Sequence, residues 1–274
     1  MTKEELFGVL KEHFRKIVEE NSFTDEQVRV KCRGLSPKEA VGETDRKDLP
    51  ILNGEEVMIQ AEVDGYIGQA FTSTASFYEG TIRDIMEMEI VEDSYNRAIF
   101  IATLNALMRK SGECDRTVHC KDKGPNECAK KTRDWIREHY GCPKITEIGY
   151  QPFLLDEFSQ EFPVRVLDLN PDNIGQIRYG VKVEDGIEAC EDALAWADIV
   201  FCTSSTLGNG TIVNYLDIGK TGILLWDNRM LRRGSAGARK KLLCRLEISG
   251  KTLSYVSGTS WEDVSAGRQG WPVP

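Results

Sequence analysis

Histidine is scarce in this chain. His13, His119 and His139 are the only three among 274 residues. His13 and His139 fall on predicted surface helices, so no nucleophile–His–acid set is legible, and acid–base chemistry is left to carboxylates or to His119. Long apolar runs are also missing. None approaches the roughly 20 residues that a membrane span needs. Positive charge is in deficit: 35 Lys and Arg stand against 44 Asp and Glu, a net charge of -9. That balance disfavours nonspecific binding to nucleic acid or to an anionic membrane. One basic run, Arg229, Arg232, Arg233, Arg239, Lys240 and Lys241, reads as a solvated helix face. There is no Cys-x-x-Cys pair, no internal repeat and no low-complexity tract. The opening M-T-K-E-E-L-F is charged and helical, unlike a secretory leader. The expectation is a cytoplasmic protein whose eight cysteines are reduced thiols, not a disulfide framework.

What is present is periodicity, and it changes partway along. Thr2 and Glu5 fit a capping box, followed by a helical stripe of Leu6, Val9, Leu10, Phe14, Ile17 and Val18. Residues 27–33, 56–63 and 66–71 alternate as strands, the last two joined by Asp64-Gly65, a two-residue hairpin signal. Residues 77–88 and 94–110 read as helices, and the second is apolar nearly all round, which predicts a buried helix. After the breakers Gly112, Gly124 and Pro125, residues 126–139 look helical. From there strands at 144–150, 164–169, 198–203 and 221–227 alternate with helices at 152–162, 186–197 and 208–218. Such alternation predicts βαβ units and a parallel sheet. A strand at 251–258 and a docked tail with Trp261 and Trp271 complete the pattern. The fold class is α/β: an N-terminal α+β domain over 1–112, a connecting Cys/His loop and helix over 113–142, and a Rossmann-like parallel-sheet domain over 143–274.

In an open parallel sheet, ligands bind beyond the carboxyl ends of the strands. Those ends deliver Gly149 and Tyr150, Asp168 and Asn170, Thr203, Ser204 and Ser205, and Trp226, Asp227 and Asn228. The richest is C-T-S-S-T-L-G-N-G-T-I, where four hydroxyl residues precede Gly208, Asn209, Gly210 and Thr211. Hydroxyls, glycines and the free N–H groups of a helix start suit an anionic group. Asp168 stands at the spacing of a ribose-binding acid, or else is a turn-capping carboxylate. G-Y-Q-P-F (149–153) has one glycine where a dinucleotide fingerprint has three, which disfavours a standard nicotinamide site. Gly219-Lys220-Thr221 lies in a helix-to-strand loop, the wrong order for a P-loop. In the first half, Asn105 sits inside the apolar helix, and Thr72, Ser73, Thr74 and Ser76 form a second hydroxyl cluster near Glu79. Clusters from the two halves could meet at a domain interface, a usual place for a pocket.

G-Q-A-F-T (68–72), L-N-A-L (104–107) and T-S-S-T-L-G-N-G-T-I (203–212) together resemble a prokaryotic family described as heavy-metal-chelation proteins. The resemblance runs roughly over residues 1–228 and is most specific around Asn209-Gly210-Thr211. The family's usual form there is close to T-G-S-T-x-x-N-G-T. Here Ser204 takes the glycine position, and W-D-N-R (226–229) stands where a Gly-Pro-Ser turn is common. The resemblance implies an enolase-N-terminal-like domain, a Rossmann-like domain and a cleft between them. It places Asn105, Thr203, Ser204, Asn209 and Thr211 in that cleft, and it implies heavy-metal chelation or metal-cofactor handling.

Cys114, His119, Cys120 and Cys128 crowd one polar window, and soft thiolates with an imidazole suit zinc or another soft divalent metal. Their gaps of five and seven residues exceed the short spacing of structural zinc sites. Cys142 is a candidate fourth ligand, whereas Cys32, Cys190, Cys202 and Cys244 read as packing. The leading expectation is a protein that binds a small anionic or metal-associated ligand in an interdomain cleft. The alternatives are a transferase or lyase using a nucleotide or S-adenosylmethionine, and a binding or regulatory protein without turnover. Residues do not decide between enzyme and non-enzyme, nor the oligomeric state.

Overall fold

The computed structural model describes residues 2–23, 29–54, 56–73, 77–113 and 117–215, and the backbone of strands at 223–226, 243–248 and 251–256. Thr74, Ser76, Cys114, residues 216–222, Asp227, Asn228, the basic run from Arg229 and the tail with Trp261 and Trp271 lie outside it, as do the side chains of Trp226 and Cys244.

The first lobe opens with helix α1 (Lys3–Glu20), whose Thr2 and Glu5 form the expected capping box. Its buried stripe is Leu6, Phe7, Leu10, Phe14 and Ile17, so Phe7 takes the place foreseen for Val9, which is 37% exposed. Strand β1 (Arg29–Gly34) and the short helix α2 (Pro37–Val41), capped by Ser36 and Glu39, follow. After a 3-10 turn at Pro50–Leu52 come β2 (Val57–Val63), β3 (Tyr66–Thr72), β4 (Tyr78–Thr81), α3 (Ile82–Glu87) and α4 (Ser94–Lys110). The four strands form one antiparallel sheet in the order β3-β2-β1-β4. Asp64 and Gly65 turn the β2–β3 hairpin with φ of 52° and 78°, as a type I′ turn requires. The single helix expected over 77–88 is divided. Its first residues pair with the open edge of β1, and Thr81 then caps α3. An unpaired strand edge outweighed local helix propensity.

Helix α4 is buried from Arg97 to Met108, as its all-round apolar character foretold. It lies directly on β3. A side chain at Gly68 would overlap the Ala102 carbonyl and the Ala106 nitrogen and lie 2.8 Å from the Asn105 carbonyl carbon. Phe100 stacks on Phe14 of α1 with ring centres 5.1 Å apart. The same continuous core runs on to Ile148, Leu167, Val200 and Cys202 in the second lobe.

The second lobe begins with α5 (Gly124–Tyr140) and continues through β5 (Ile145–Ile148), α6 (Pro152–Phe158), β6 (Val164–Asp168), β7 (Ile177–Arg178), β8 (Val181–Asp185), α7 (Cys190–Trp196) and β9 (Ile199–Thr203). Then come α8 (Ser205–Gly208), a 3-10 turn at Thr211–Asn214, β10 (Ile223–Trp226), β11 (Leu243–Ile248) and β12 (Lys251–Val256). The sheet order is β11-β12-β10-β9-β5-β6-β8-β7. The run β10-β9-β5-β6-β8 is parallel, with β12 parallel beside β10 and β7 and β11 antiparallel at the two edges. The mixed α/β class is therefore as expected. The chain enters the parallel run at β5, winds outward to β8, then returns to β9. The reversal point is the gap between β5 and β9. Helices α5 and α6 cover one face through Cys128, Ala129, Ile136, Leu154 and Phe158. Ala193 and Leu194 of α7 share the first-lobe core on the other.

Three elements differ from expectation. From 208 to 215 the expected helix is replaced by the end of α8 and the 3-10 turn, broken at Gly210 with φ 79°, and 216–218 lie outside the described residues. The strand over 144–150 stops at Ile148, because Gly149 turns at φ 83°. A hairpin, β7–β8, joins the sheet through Tyr179 and Gly180, at φ 50° and 78°. It went unforeseen because Tyr-Gly lacks the Asn-Gly or Asp-Gly signature of such turns. Among the described residues no helix is long and apolar enough to cross a membrane.

Candidate functional site

At the reversal point the β5 and β9 ends touch. A Cβ on Gly149 would sit 2.5 Å from Thr203 Cγ2, so only glycine fits there. The two N–H groups after Gly149 are both taken by carboxyls of the lobe itself. Tyr150 N–H donates to Asp168 Oδ2 at 2.6 Å, and Gln151 N–H donates to Glu147 Oε1 at 2.7 Å. The other Asp168 oxygen accepts from Asn170 N–H at 2.7 Å, and Asn170 Oδ1 accepts from Asp172 N–H at 3.0 Å. Asp168 thus closes two turns with both of its oxygens. In dinucleotide-binding sheets, backbone N–H groups at this turn face phosphate. Here Glu147 and Asp168 occupy them.

Glu147 is completely buried, and its second oxygen, Oε2, has no hydrogen-bond partner. Burial raises its pKa well above the usual carboxylate range; the Gln151 N–H opposes this and the Asp168 charge adds to it. Burial thus favours the neutral form of this carboxyl.

The hydroxyl-rich segment after β9 joins the lobes. Thr203 Oγ1 accepts from Gln151 Nε2 at 2.8 Å, and Ser205 Oγ donates to Glu56 of the first lobe at 3.0 Å. Ser204 is 1% exposed and its carbonyl starts α8, while Thr206 Oγ1 donates to the Thr203 carbonyl. Asn209 is exposed, and its Oδ1 accepts from both the N–H and the O–H of Thr211. Buried Arg97 of α4 donates to the carbonyls of Ile90 and Val91 and, at 3.0 Å, to that of Gly208. Gly210 lies against the Lys3 side chain. With only four residues, α8 offers little helix dipole to an anion. Thr203, Ser204, Ser205, Gly210 and Thr211 thus come together with the first lobe mainly as a packed joint.

A cavity of about 320 Å³ is walled by Lys47, Asp48 and Asn53 of the first lobe and by Asp172, Asn173 and Arg178 of the second. The β7–β8 hairpin carries Arg178 of the wall and is tied to the first lobe. The Tyr179 hydroxyl donates to Asp48, and Arg46 bonds both Tyr179 and Asp156 of α6. The Tyr150 hydroxyl donates to the same Asp48 oxygen at 3.1 Å. Burial, then Asp48, pushes the Tyr179 phenol up to about 12 and drives Tyr150 up as well. Both therefore stay protonated donors. Phe153 of α6 packs on the first-lobe cluster of Leu35, Val41, Leu49, Ile51 and Phe71, which fixes the two walls together.

The remaining candidates lie elsewhere. Asn105 is fully buried. Its Nδ2 donates to the Gln69 carbonyl at 2.9 Å and its Oδ1 is unpartnered, so it ties α4 to β3. Thr72 ends β3, half-buried. His119 N–H donates to Gln69 Oε1 at 2.7 Å and its ring meets Phe71 edge-on, so 117–119 runs along β3. Cys120 packs against Gly124. Cys128 is buried in the α5–α6 core, and Cys142 is exposed. Among the described residues no three His, Cys, Asp or Glu side chains come together as a metal site.

Sequence reading missed Glu147, Gln151, Glu56, Lys47, Asn53 and Arg178. Glu147 did leave a signal: it is the one charged residue inside the apolar strand I-T-E-I. The cavity residues left none, because they meet only through the docking of the hairpin on the 46–53 loop.

No curated protein matches the chain. A crystal structure of a protein of unknown function from Desulfitobacterium hafniense, of the DUF364 family, is 14% identical, with a TM-score of 0.42, over 61% of this chain and 66% of that one. This chain therefore spans just under two thirds of that relative. A second DUF364 structure, also of unknown function, from Pyrococcus horikoshii, is 15% identical, with a TM-score of 0.47, over 82% of this chain and 78% of that one. Residues 138–223 match the DUF364 family model, described as "Putative heavy-metal chelation", so the family resemblance read from the sequence holds across β5 to β9.

Proposed function

We propose that the protein binds a small anionic or metal-associated ligand in the hollow between an enolase-N-terminal-like lobe and a Rossmann-like lobe. The observation that carries this reading is the 320 Å³ cavity with walls from both lobes. Its volume is in the range of small-molecule sites, and it lies beyond the carboxyl end of β6, where open parallel sheets place their ligands. The reversal of strand order between β5 and β9 supports the Rossmann-like assignment. A nucleotide cofactor is the weaker reading, because Glu147 and Asp168 hold the N–H groups that would face its phosphates.

The described donors do not fit a resident soft metal. Cys128 is in the core and His119 lies on Phe71. We therefore assign metal handling, a soft divalent ion such as zinc, to the ligand rather than to the 114–128 loop. Elemental analysis of the purified protein checks this. Metal stoichiometry is expected to fall in Arg178→Glu and to stay unchanged in Cys120→Ala and Cys128→Ala. Loss in the cysteine variants with retention in Arg178→Glu would return the metal to the loop.

A further inference from the structure

Among the described residues, three partly buried arginines have a carboxylate partner. Arg46 pairs with Asp48 and Asp156, Arg133 with Glu157, and Arg165 with Glu184 and Asp192. Arg97 has three carbonyls instead. Arg109, at the end of α4, and Arg178 have no carboxylate partner among the described residues, and of these two only Arg178 lines the cavity. It is half-buried on the cavity wall, and among the described residues no carboxylate lies within ion-pair distance of it. Its Nε–H is buried with no partner, and its guanidinium rests on the Tyr150 ring at 5.7 Å. A buried charged donor left without a partner is costly. Lys47, on the same wall, also lacks an ion-pair partner among the described residues.

The two carboxylates in the wall do not cancel these cations. Asp48 already faces Arg46 at 3.7 Å and accepts from the Tyr150 and Tyr179 hydroxyls. Asp172 is exposed and turned by its own backbone link to Asn170. Asn53 and Asn173 add amides that can donate to the same centre. A planar fork, an ammonium and two amides around one small hollow match a group with several anionic oxygens.

Building on the interlobe reading above, we infer that the cavity is an oxyanion site, in which Arg178 and Lys47 hold a carboxylate or phosphate group of the ligand. Tyr150 is the platform that orients the Arg178 fork, and the Tyr179–Asp48–Arg46 contacts fix the hairpin that carries it.

Isothermal titration of the full chain with inorganic phosphate and, separately, with malonate tests this, at constant ionic strength. Saturable binding of at least one anion is expected, and the anion that binds tells phosphate from carboxylate. Arg178→Gln is expected to weaken it at least about tenfold, equivalent to about 1.4 kcal/mol, and Lys47→Gln by less. Arg178→Lys, which keeps the charge and loses the fork, is expected to fall between wild type and Arg178→Gln. Circular dichroism confirms that each variant is folded, and Lys47→Gln, at an exposed position, serves if Arg178→Gln does not fold. Absence of binding by either anion, or equal affinity in wild type, Arg178→Gln and Lys47→Gln, overturns the inference. If a small molecule or metal is nevertheless retained through purification, only the oxyanion assignment fails. If nothing is retained either, the interlobe reading fails with it.

Discussion

Gly68→Ala is expected to lower stability by about 3 kcal/mol or more, near the upper end of overpacking costs. One methyl group would overlap the backbone of α4 at Ala102 and Ala106. No rotamer can relieve a clash with helix backbone, so α4 must lift from β3. That lift disturbs the core, because α4 buries Ile99, Phe100, Ile101, Leu104 and Leu107 completely or nearly so. It also breaks the Asn105–Gln69 hydrogen bond. Gly8→Ala should act in the opposite sense. Gly8 is exposed in α1 with nothing near its missing Cβ, so alanine should add about 0.5–1 kcal/mol of stability. Thermal unfolding of the two variants checks both signs. The first should lose about 10 °C in Tm, and equal behaviour of the two would contradict the contact.

Glu147→Gln is expected to stabilise the protein, and increasingly so as pH rises. The carboxyl is fully buried and unpartnered at Oε2, and burial favours its neutral form. Its folded pKa lies above the unfolded value of about 4.5. Between those two values the folded state binds the extra proton, so wild-type stability declines as pH climbs through the window, by about 1.4 kcal/mol per unit. Below the window both states are protonated and the difference vanishes. Glutamine keeps an oxygen for the Gln151 N–H, carries no titratable proton, and removes the slope. Urea unfolding of wild type and variant at successive pH values from about 4.5 upward should give curves that diverge with pH. Parallel curves would mean that Glu147 is charged in the folded protein, paired with a cation.

Much of the scaffold was legible because single elements announce themselves. The α1 capping box, the Asp64-Gly65 turn and the all-apolar α4 each depend on residues close in sequence. The switch to alternating strands and helices announced the parallel sheet for the same reason. Tyr78–Thr81 was misread because its strand character comes from the free edge of β1, some fifty residues away. The β7–β8 hairpin escaped because Tyr179 takes a positive φ that its side chain does not advertise.

The candidate site was legible in outline and not in its working parts. Hydroxyls and glycines after β9 pointed to the lobe boundary, where Arg97 and Glu56 indeed engage them. Their polarity was read as capacity for a ligand, whereas much of it is consumed by mutual hydrogen bonds. Arg178 looks in sequence like any surface arginine. Its place on the cavity wall, with no carboxylate of the kind that Arg46, Arg133 and Arg165 have, is what makes it informative. In the cysteine window, the spacing gives no sign that Cys128 lies in the α5–α6 core.

The interlobe hollow is tested most directly by what the protein carries. Small molecules and metals released by denaturing purified wild type and an Asn53→Trp variant, in which an indole fills the cavity, can be identified by mass spectrometry and elemental analysis. The expected result is a small anionic or metal-bearing molecule from wild type, at near-equimolar yield, and little of it from the equally folded variant. The same molecule recovered equally from both, or none from either, would contradict a ligand site between the lobes.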